Sequence, residues 1–270
     1  MTRPILREVA TNSLRALPAI RSARNNRSLK QGYVPEKNSV EYTRFVFDDL
    51  TGAAGLESIG GRVLEIGPGG HVGVSLLFLS AGAEHATCLD ILPWKSDQRE
   101  MYRELDSDAD ALLERIDYRC PDAIETTTLP DGSFDIIFSA ACLEHVADPA
   151  RATRRMYELL RPGGVSVHGI DLRDHRDFER PHEFLRYPDW LWRAAMSRKP
   201  AYTNRWRATD WSEAFRDSGF VDVEMHSRGE TPVSPQLHET LLARFRAKAP
   251  EELSTTLVVA SARKPAEPSG

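Results

Sequence analysis

The stretch Val63-Leu64-Glu65-Ile66-Gly67-Pro68-Gly69-Gly70 decides how the rest of the chain is read. Its first half is short and apolar, as a buried strand requires, with Val63, Leu64 and Ile66 expected inside. Its second half carries almost no side chains, and Val72 to Ser80 (VGVSLLFLS) follows as an apolar helix closed by Gly82. A strand, a glycine-rich turn and a helix make the ligand-binding corner of nucleotide-binding α/β sheets, because glycine takes positive φ and lets backbone approach a ligand. The turn alone decides little, since many tight turns look the same. Two residues sharpen it. Asp90 closes the next strand, 85–89, 21 residues beyond Gly69, where a carboxylate can accept both hydroxyls of a ribose. Glu65 places an acid inside the motif, which repels a pyrophosphate and suits a cationic ligand.

Outward from this corner, strands and helices alternate. Residues 40–50 read as an amphipathic helix, 96–115 as charged and helix-prone, and 117–120 as a third strand. Leu129 to Ser133 (LPDGS) is a turn by its Pro, Asp and Gly. Residues 134–139 form a fourth strand, 150–160 a helix stopped by Pro162-Gly163-Gly164, and 165–170 a fifth strand. Such alternation implies βαβ units and a parallel sheet with helices on both faces, which binds ligands at the carboxyl ends of its strands. From 171 to 207 no period holds, and the stretch is rich in aromatics, including Trp190, Trp192 and Trp206. A helix at 209–218, a strand at 220–226, a helix at 239–248 and a strand at 253–262 complete the pattern. The expected organisation is a basic arm over 1–37, a single α/β domain over 38–263 with a lid insertion over 171–211, and a disordered tail over 264–270.

Composition narrows the partners. The net charge is -5, the wrong sign for holding a polyanion over a broad face, so no nucleic-acid partner is expected. No run of about 18 apolar residues is present, and the N-terminus lacks a secretory signal's apolar stretch. Cys88, Cys120 and Cys142 are too scattered for a disulfide framework or a structural zinc site. A cytoplasmic location fits. Residues 1–30 nevertheless hold seven basic residues and one acid, Glu8, with Leu6, Val9, Leu14, Leu17 and Ile20 interleaved at roughly helical spacing. Such a segment packs over the main domain, stays mobile, lies peripherally on an anionic membrane, or serves as a transit peptide.

Three segments in order resemble the class I, Rossmann-like S-adenosylmethionine-dependent methyltransferases: VLEIGPGG, LPDGSFDIIFSAACLEHVADP (129–149) and ELLRPGGVSVHGI (158–170). The resemblance implies seven strands in the order 3-2-1-4-5-7-6 with the last antiparallel, S-adenosylmethionine as cofactor and S-adenosylhomocysteine as product. It places Glu65, Gly67, Pro68 and Gly69 along the methionine part, Asp90 on the ribose and Ile91 against the adenine. Asp122 and Ala123 match the position that meets the adenine amine and ring, and Ala140 and Leu143 the wall near the sulfonium. One departure is plain: His71 stands where the family carries a third glycine.

The expected activity is methyl transfer to a small-molecule acceptor, a hydroxyl of a sugar or natural product. An oxygen acceptor loses a proton to a nearby base. The candidates lie after strands four and five: His145, Asp171 and His175, the last with an Asp neighbour to orient it. Asp174, His182, Trp190, Arg205, Trp206 and Arg207 form the candidate acceptor set of the lid; aromatics wall a pocket or stack on sugar faces, and the arginines grip a phosphate or carboxylate. DLRDH (171–175) with NRWR (204–207) resembles a subgroup found with sugar and cell-envelope biosynthesis. His168, His175 and His182 are seven apart, but one falls in a strand and two in irregular chain, so no metal is expected. The segment after strand four lacks the Asn/Asp-Pro-Pro-aromatic motif of amino-methylating enzymes for DNA. The alternatives are cyclisation or decarboxylation with the same bound cofactor, and a non-catalytic partner module.

Overall fold

The computed structural model describes residues 5–15, 39–93, 98–199 and 202–266. Most of the expected basic arm, and residues 267–270 of the expected tail, lie outside them.

Seven strands form one sheet in the order β3-β2-β1-β4-β5-β7-β6. They are β1 (Arg62–Ile66), β2 (His85–Leu89), β3 (Ile116–Arg119), β4 (Phe134–Ala140), β5 (Leu160–Asp171), β6 (Val221–Glu230) and β7 (Thr255–Arg263). The first five run parallel, and β7 is antiparallel to both β5 and β6. Fold class and strand order are those implied above. Strands buried on both faces explain the unbroken apolar runs. Val63, Ile136 and Phe138 meet α2 (Val40–Ala53) and α3 (Gly73–Ser80) on one face. Leu64, Ile66 and Ile137 meet α6 (Pro149–Leu159) and α8 (Ala208–Asp217) on the other. Between β2 and β3, the helix-prone stretch splits into α4 (Arg99–Leu105) and α5 (Ala109–Leu113), because the Asp106 carboxylate accepts from the Asp108 N–H and breaks the run.

Asp135, the one charge in an otherwise apolar strand, is explained by its contacts. Its carboxylate accepts from the Arg62 N–H at 2.7 Å and pairs with Arg161 at 3.0 Å. The lid carries α7 (Asp189–Met196), which lies with α1 (Ile5–Leu14) over a separate cluster containing Phe184, Trp192 and Phe245. The single helix expected at 239–248 is broken into α9 (Pro235–Thr240) and α10 (Ala243–Arg246), where the Leu242 N–H leaves the helix to reach the Leu185 carbonyl. A short α11 (Pro250–Ser254), not expected, leads into β7. The start of the expected disordered tail is held instead: Lys264 pairs its N–H with the Gly164 carbonyl, and its ammonium donates to the Tyr157 and Leu160 carbonyls. Among the described residues no helix is long and apolar enough to cross a membrane.

Gly61 enters β1 at φ 66°, and a Cβ there would stand 2.1 Å from a carboxylate oxygen of Asp135. Gly61→Ala should therefore combine left-handed strain of roughly 1–2 kcal/mol with loss of the Asp135–Arg62 contact. A thermal melt should show a Tm at least several degrees lower; an unchanged Tm would show that this corner yields.

Candidate functional site

The carboxyl ends of β1, β2, β4 and β5 meet around the glycine turn. Gly67 sits at φ 68°, its N–H bonded to the Leu89 carbonyl at 2.8 Å. A Cβ on Gly67 would fall 2.3 Å from the Cys142 sulfur, so only glycine lets the β1 and β4 exits close together. Gly69, at φ 71°, has no atom within 4 Å of the place its Cβ would occupy. Backbone there is open to a ligand. Asp90 joins the turn to β2: its Oδ2 accepts from the Gly69 N–H at 3.0 Å and its Oδ1 from the Leu92 N–H at 2.8 Å. Burial pushes its carboxyl up, and these backbone bonds pull against that. Glu65 lies under the turn, its Oε2 accepting from the Ser75 hydroxyl at 2.5 Å, and burial pushes it up to about 7. His71 caps α3, its Nδ1 accepting from the Gly73 N–H at 3.1 Å. The imidazole thus does at the helix start what the side chain of Val72 cannot.

The remaining candidate cofactor residues fall around this turn. Ile91 is 66 % exposed at the β2 exit, and Pro68, Asp122, Ala123 and Ala140 are half-buried. Asp122 receives the Thr127 hydroxyl at 2.9 Å, and its N–H bonds the Asp90 carbonyl. Leu143 is corrected: it is wholly buried in the core beneath the sheet and offers a ligand no surface. Ala141, at φ 51°, turns the chain so that Cys142, not Leu143, stands against Gly67.

The three candidate catalytic residues converge. His175 Nε2 lies 3.5 Å from Asp171 Oδ2, and the His145 and His175 rings meet edge to face at 5.0 Å. Burial would raise Asp171, but bonds from Arg173, at 2.9 and 2.7 Å, and the nearby His175 hold it well below the usual carboxylate range. His145 Nδ1 lies 2.6 Å from the Tyr202 carbonyl. Asn204 donates to the Leu143 carbonyl at 2.8 Å, so the lid is fastened to the β4 exit at two points. Beside the histidines stands Glu144, buried, with no hydrogen-bond partner at either oxygen. Burial pushes it up to about 8, partly opposed by the nearby His175. Burial raises the hydroxyl of Tyr42 of α2, and the charges of Asp171 and Glu144 add to it. Arg173 stacks on Phe178, 4.5 Å from the ring centre. Glu144, Tyr42, Arg173 and Phe178 were missed from sequence. An acid inside an apolar turn, the signal used for Glu65, would have singled out Glu144.

The candidate acceptor set is largely corrected. Arg205 is buried, and its guanidinium donates to the Phe184 and Tyr187 carbonyls and pairs with Asp189. Arg207 is buried, donating to the Leu172, Leu253 and Thr255 carbonyls. Asp174 is wholly buried against Arg176 at 2.5 Å. These charges hold the lid together and leave nothing to grip a ligand. His182 is buried beside Arg207, and burial with that positive charge pushes it down to about 4. Trp206 packs on Trp211 at 5.0 Å and lines a cleft of about 380 Å³ reaching Arg154, Arg244 and Lys248, away from the histidines. Trp190, 69 % exposed, lies on the outer face of α7. His168 is buried between the Ser139 and Ser166 hydroxyls at 2.8 and 2.7 Å, and burial pushes it down to about 3. Among the described residues no group of three or more His, Cys, Asp or Glu is placed to hold a metal ion.

Comparison with known proteins bears on the family and the fold. A family model described as a methyltransferase domain matches residues 36–225. The ubiquinone biosynthesis O-methyltransferase of Xanthomonas axonopodis pv. citri is 33 % identical over 112 residues, 42 % of this chain and 44 % of that protein. The enzyme of the same name from Bordetella bronchiseptica is 34 % identical over 105 residues, 39 % of this chain and 40 % of its own length. The aligned region thus spans less than half the length of these curated relatives. Two solved structures share the fold: the YcgJ protein from Bacillus subtilis, with TM-score 0.52 and 15 % identity over 82 % of this chain and 99 % of that one, and a putative sarcosine dimethylglycine methyltransferase from Galdieria sulphuraria, with TM-score 0.50 and 15 % identity over 83 % and 85 %.

The buried carboxyl of Glu144 makes stability depend on pH. Its pKa is raised on folding from the usual 4.5 to about 8, so the folded chain binds this proton more tightly than the unfolded one. The stability it contributes is complete below about pH 4.5 and lost as the pH rises through about 8. Glu144→Gln removes that loss. The Tm difference between Glu144→Gln and the parent should therefore favour the variant more at about pH 9 than at about pH 5. Equal differences would mean that Glu144 does not sit buried and uncharged.

Proposed function

The chain belongs to the methyltransferase-domain family of class I S-adenosylmethionine-dependent enzymes, and we propose that it methylates a hydroxyl group of a small molecule, a sugar or a natural product, with His175 as the base. The observation that carries this reading is the pairing of His175 with Asp171 at the carboxyl ends of the strands, one loop from the glycine turn. S-adenosylmethionine, when bound, supplies an electrophilic methyl group on a cationic sulfur. Gly67 and Gly69 allow it close to the backbone, and Asp90 takes the ribose hydroxyls. Ile91 covers the adenine, beside Asp122 and Ala123.

His175, whose Nε2 lies 3.5 Å from Asp171, would take the acceptor's proton on Nδ1. Bound S-adenosylmethionine would supply the methyl group, and His175 would take the proton that the acceptor hydroxyl gives up on transfer. Asp171, held ionised by Arg173, then stabilises the imidazolium. Phe178 and Arg173 flank the acceptor side of this corner and replace the buried arginines in recognising it. The O-methyltransferase names of the curated relatives support oxygen as the acceptor atom. The acidic net charge supports a small acceptor over nucleic acid.

Calorimetry with S-adenosylmethionine and S-adenosylhomocysteine, together with S-adenosylhomocysteine release in the presence of phenols and hexoses, tests the assignment. Asp90→Ala should weaken binding of both cofactor forms at least about tenfold, the loss of two charge-assisted hydrogen bonds. His175→Ala should leave binding within about twofold and slow release by about 10²-fold or more. Turnover at the parent rate in His175→Ala would remove the base. Consumption of an acceptor without a methylated product would favour cyclisation or decarboxylation.

A further inference from the structure

The outer face of the α1–α7 pair is set apart from the rest of the surface. Both helices lie over one apolar cluster, with Ile5 and Val9 of α1 and Trp192, Ala195 and Met196 of α7 turned down into it. Their contact is polar and specific. Asn12, wholly buried, donates to the Ala194 carbonyl at 2.9 Å and accepts from the Arg198 N–H at 2.9 Å, closing the end of α7. Lys199 pairs with Glu8. Because the two inner faces share one floor, the two outer faces share one side.

That side carries large apolar groups in water. Leu6 is 74 % exposed, Leu14 47 % and Trp190 69 %. Among the described residues only seven large hydrophobic side chains are exposed, and three of them are here. The same faces expose Arg7, Arg193 and Arg198, none with a carboxylate partner among the described residues. The carboxylates of the two helices are already taken: Glu8 by Lys199, and Asp189 by Arg205 and Arg244. The face is therefore apolar and net positive on a chain whose total charge is -5. Between Leu14 and Lys30 the sequence carries Arg21, Arg24, Arg27 and Lys30 besides the buried Arg15, and no acid.

We propose that the outer face of α1 and α7 docks the protein on the surface of an anionic lipid bilayer. Tryptophan and leucine enter the headgroup boundary while arginines meet lipid phosphates, the division of labour of an interfacial helix. Charge complementarity selects this occupant over a second copy of the chain, which would bring the same unpaired arginines against one another. Docking there places the surface beside the acceptor corner, since Tyr202, which follows α7 and packs against its cluster, bonds His145 through its carbonyl.

The test is co-sedimentation of the full chain with vesicles of phosphatidylcholine alone and with about one third phosphatidylglycerol. It is independent of the methyl-transfer reading. The protein should pellet with the anionic vesicles, much less with the neutral ones, and should be released by about 0.5 M salt, where the Debye length has shrunk to a few ångströms. Arg7→Glu and Arg193→Glu should each weaken binding by about fivefold or more, and the Leu6→Ser, Trp190→Ser double variant by about tenfold. All four side chains are exposed, so melts coinciding with the parent's will confirm folding. Failure of the parent to bind anionic vesicles, or parent-like binding by the variants, overturns the proposal. So does gel filtration showing a dimer that the double variant dissolves without vesicle binding, which assigns the face to self-association.

Discussion

The missing side chain at Gly67 is the constraint on which the site depends. Two neighbouring parallel strands, β1 and β4, must send their following loops to opposite sides of the sheet, and the gap between those loops is where a ligand fits. Gly67 and Cys142 fill the base of that gap so closely that a single methyl group would strike the sulfur. The strain of the left-handed Ala141 is borne on the facing side, where its N–H still reaches the Gly169 carbonyl at 2.8 Å. Asp90 then ties the far rim, bonding both the glycine turn and its own following loop. Three strand exits are fixed relative to one another before any ligand arrives, which is the preorganisation a positioning enzyme needs.

The lid is held by a different principle. Arg205 and Arg207 are buried cations of this insertion that donate to carbonyl oxygens, and Arg176 is held by the Asp174 carboxylate. A guanidinium can donate five hydrogen bonds in a plane, so one residue satisfies carbonyls from segments that share no secondary structure. Arg207 joins the lid's start at Leu172, the end of α11 at Leu253 and the first residue of β7. Removing such a group would leave several carbonyls buried and unpaired. An irregular, aromatic-rich insertion without a sheet of its own can then keep one shape, and α1 extends the arrangement by closing α7 through Asn12.

The sheet was legible because its signals are local and repetitive. Apolar runs such as Val63 to Ile66 and Phe134 to Ser139, punctuated by turn residues, admit few alternatives in a chain of this length. That His145, Asp171 and His175 come together was legible for the same reason, since strand exits can be located once the strands are. The lid was not. Arg205 and Arg207 have the same residue type whether they grip a ligand or carbonyls from their own chain, and only burial separates the two roles. Leu143 was misplaced because one left-handed residue, Ala141, rotates the chain after β4, and an alanine in that conformation leaves no trace in sequence. Glu144 was passed over because an acid beside a histidine reads as a solvated pair until the fold covers it.

Glu144 gives the corner its electrostatic logic. Two carboxyl groups flank one imidazole, and both ionised in a buried corner would repel. Their surroundings separate them: Arg173 keeps Asp171 ionised, while burial raises Glu144 so that it keeps its proton near neutral pH. The pair therefore holds one negative charge, and Arg173 compensates it. A proton placed on His175 upsets this balance by adding a cation, and the same cation draws the Glu144 pKa down. A buried acid whose oxygens accept no hydrogen bond is costly in a resting fold. Here burial keeps it protonated near neutral pH, and Asp171 with Arg173 supplies the ion pair of the corner.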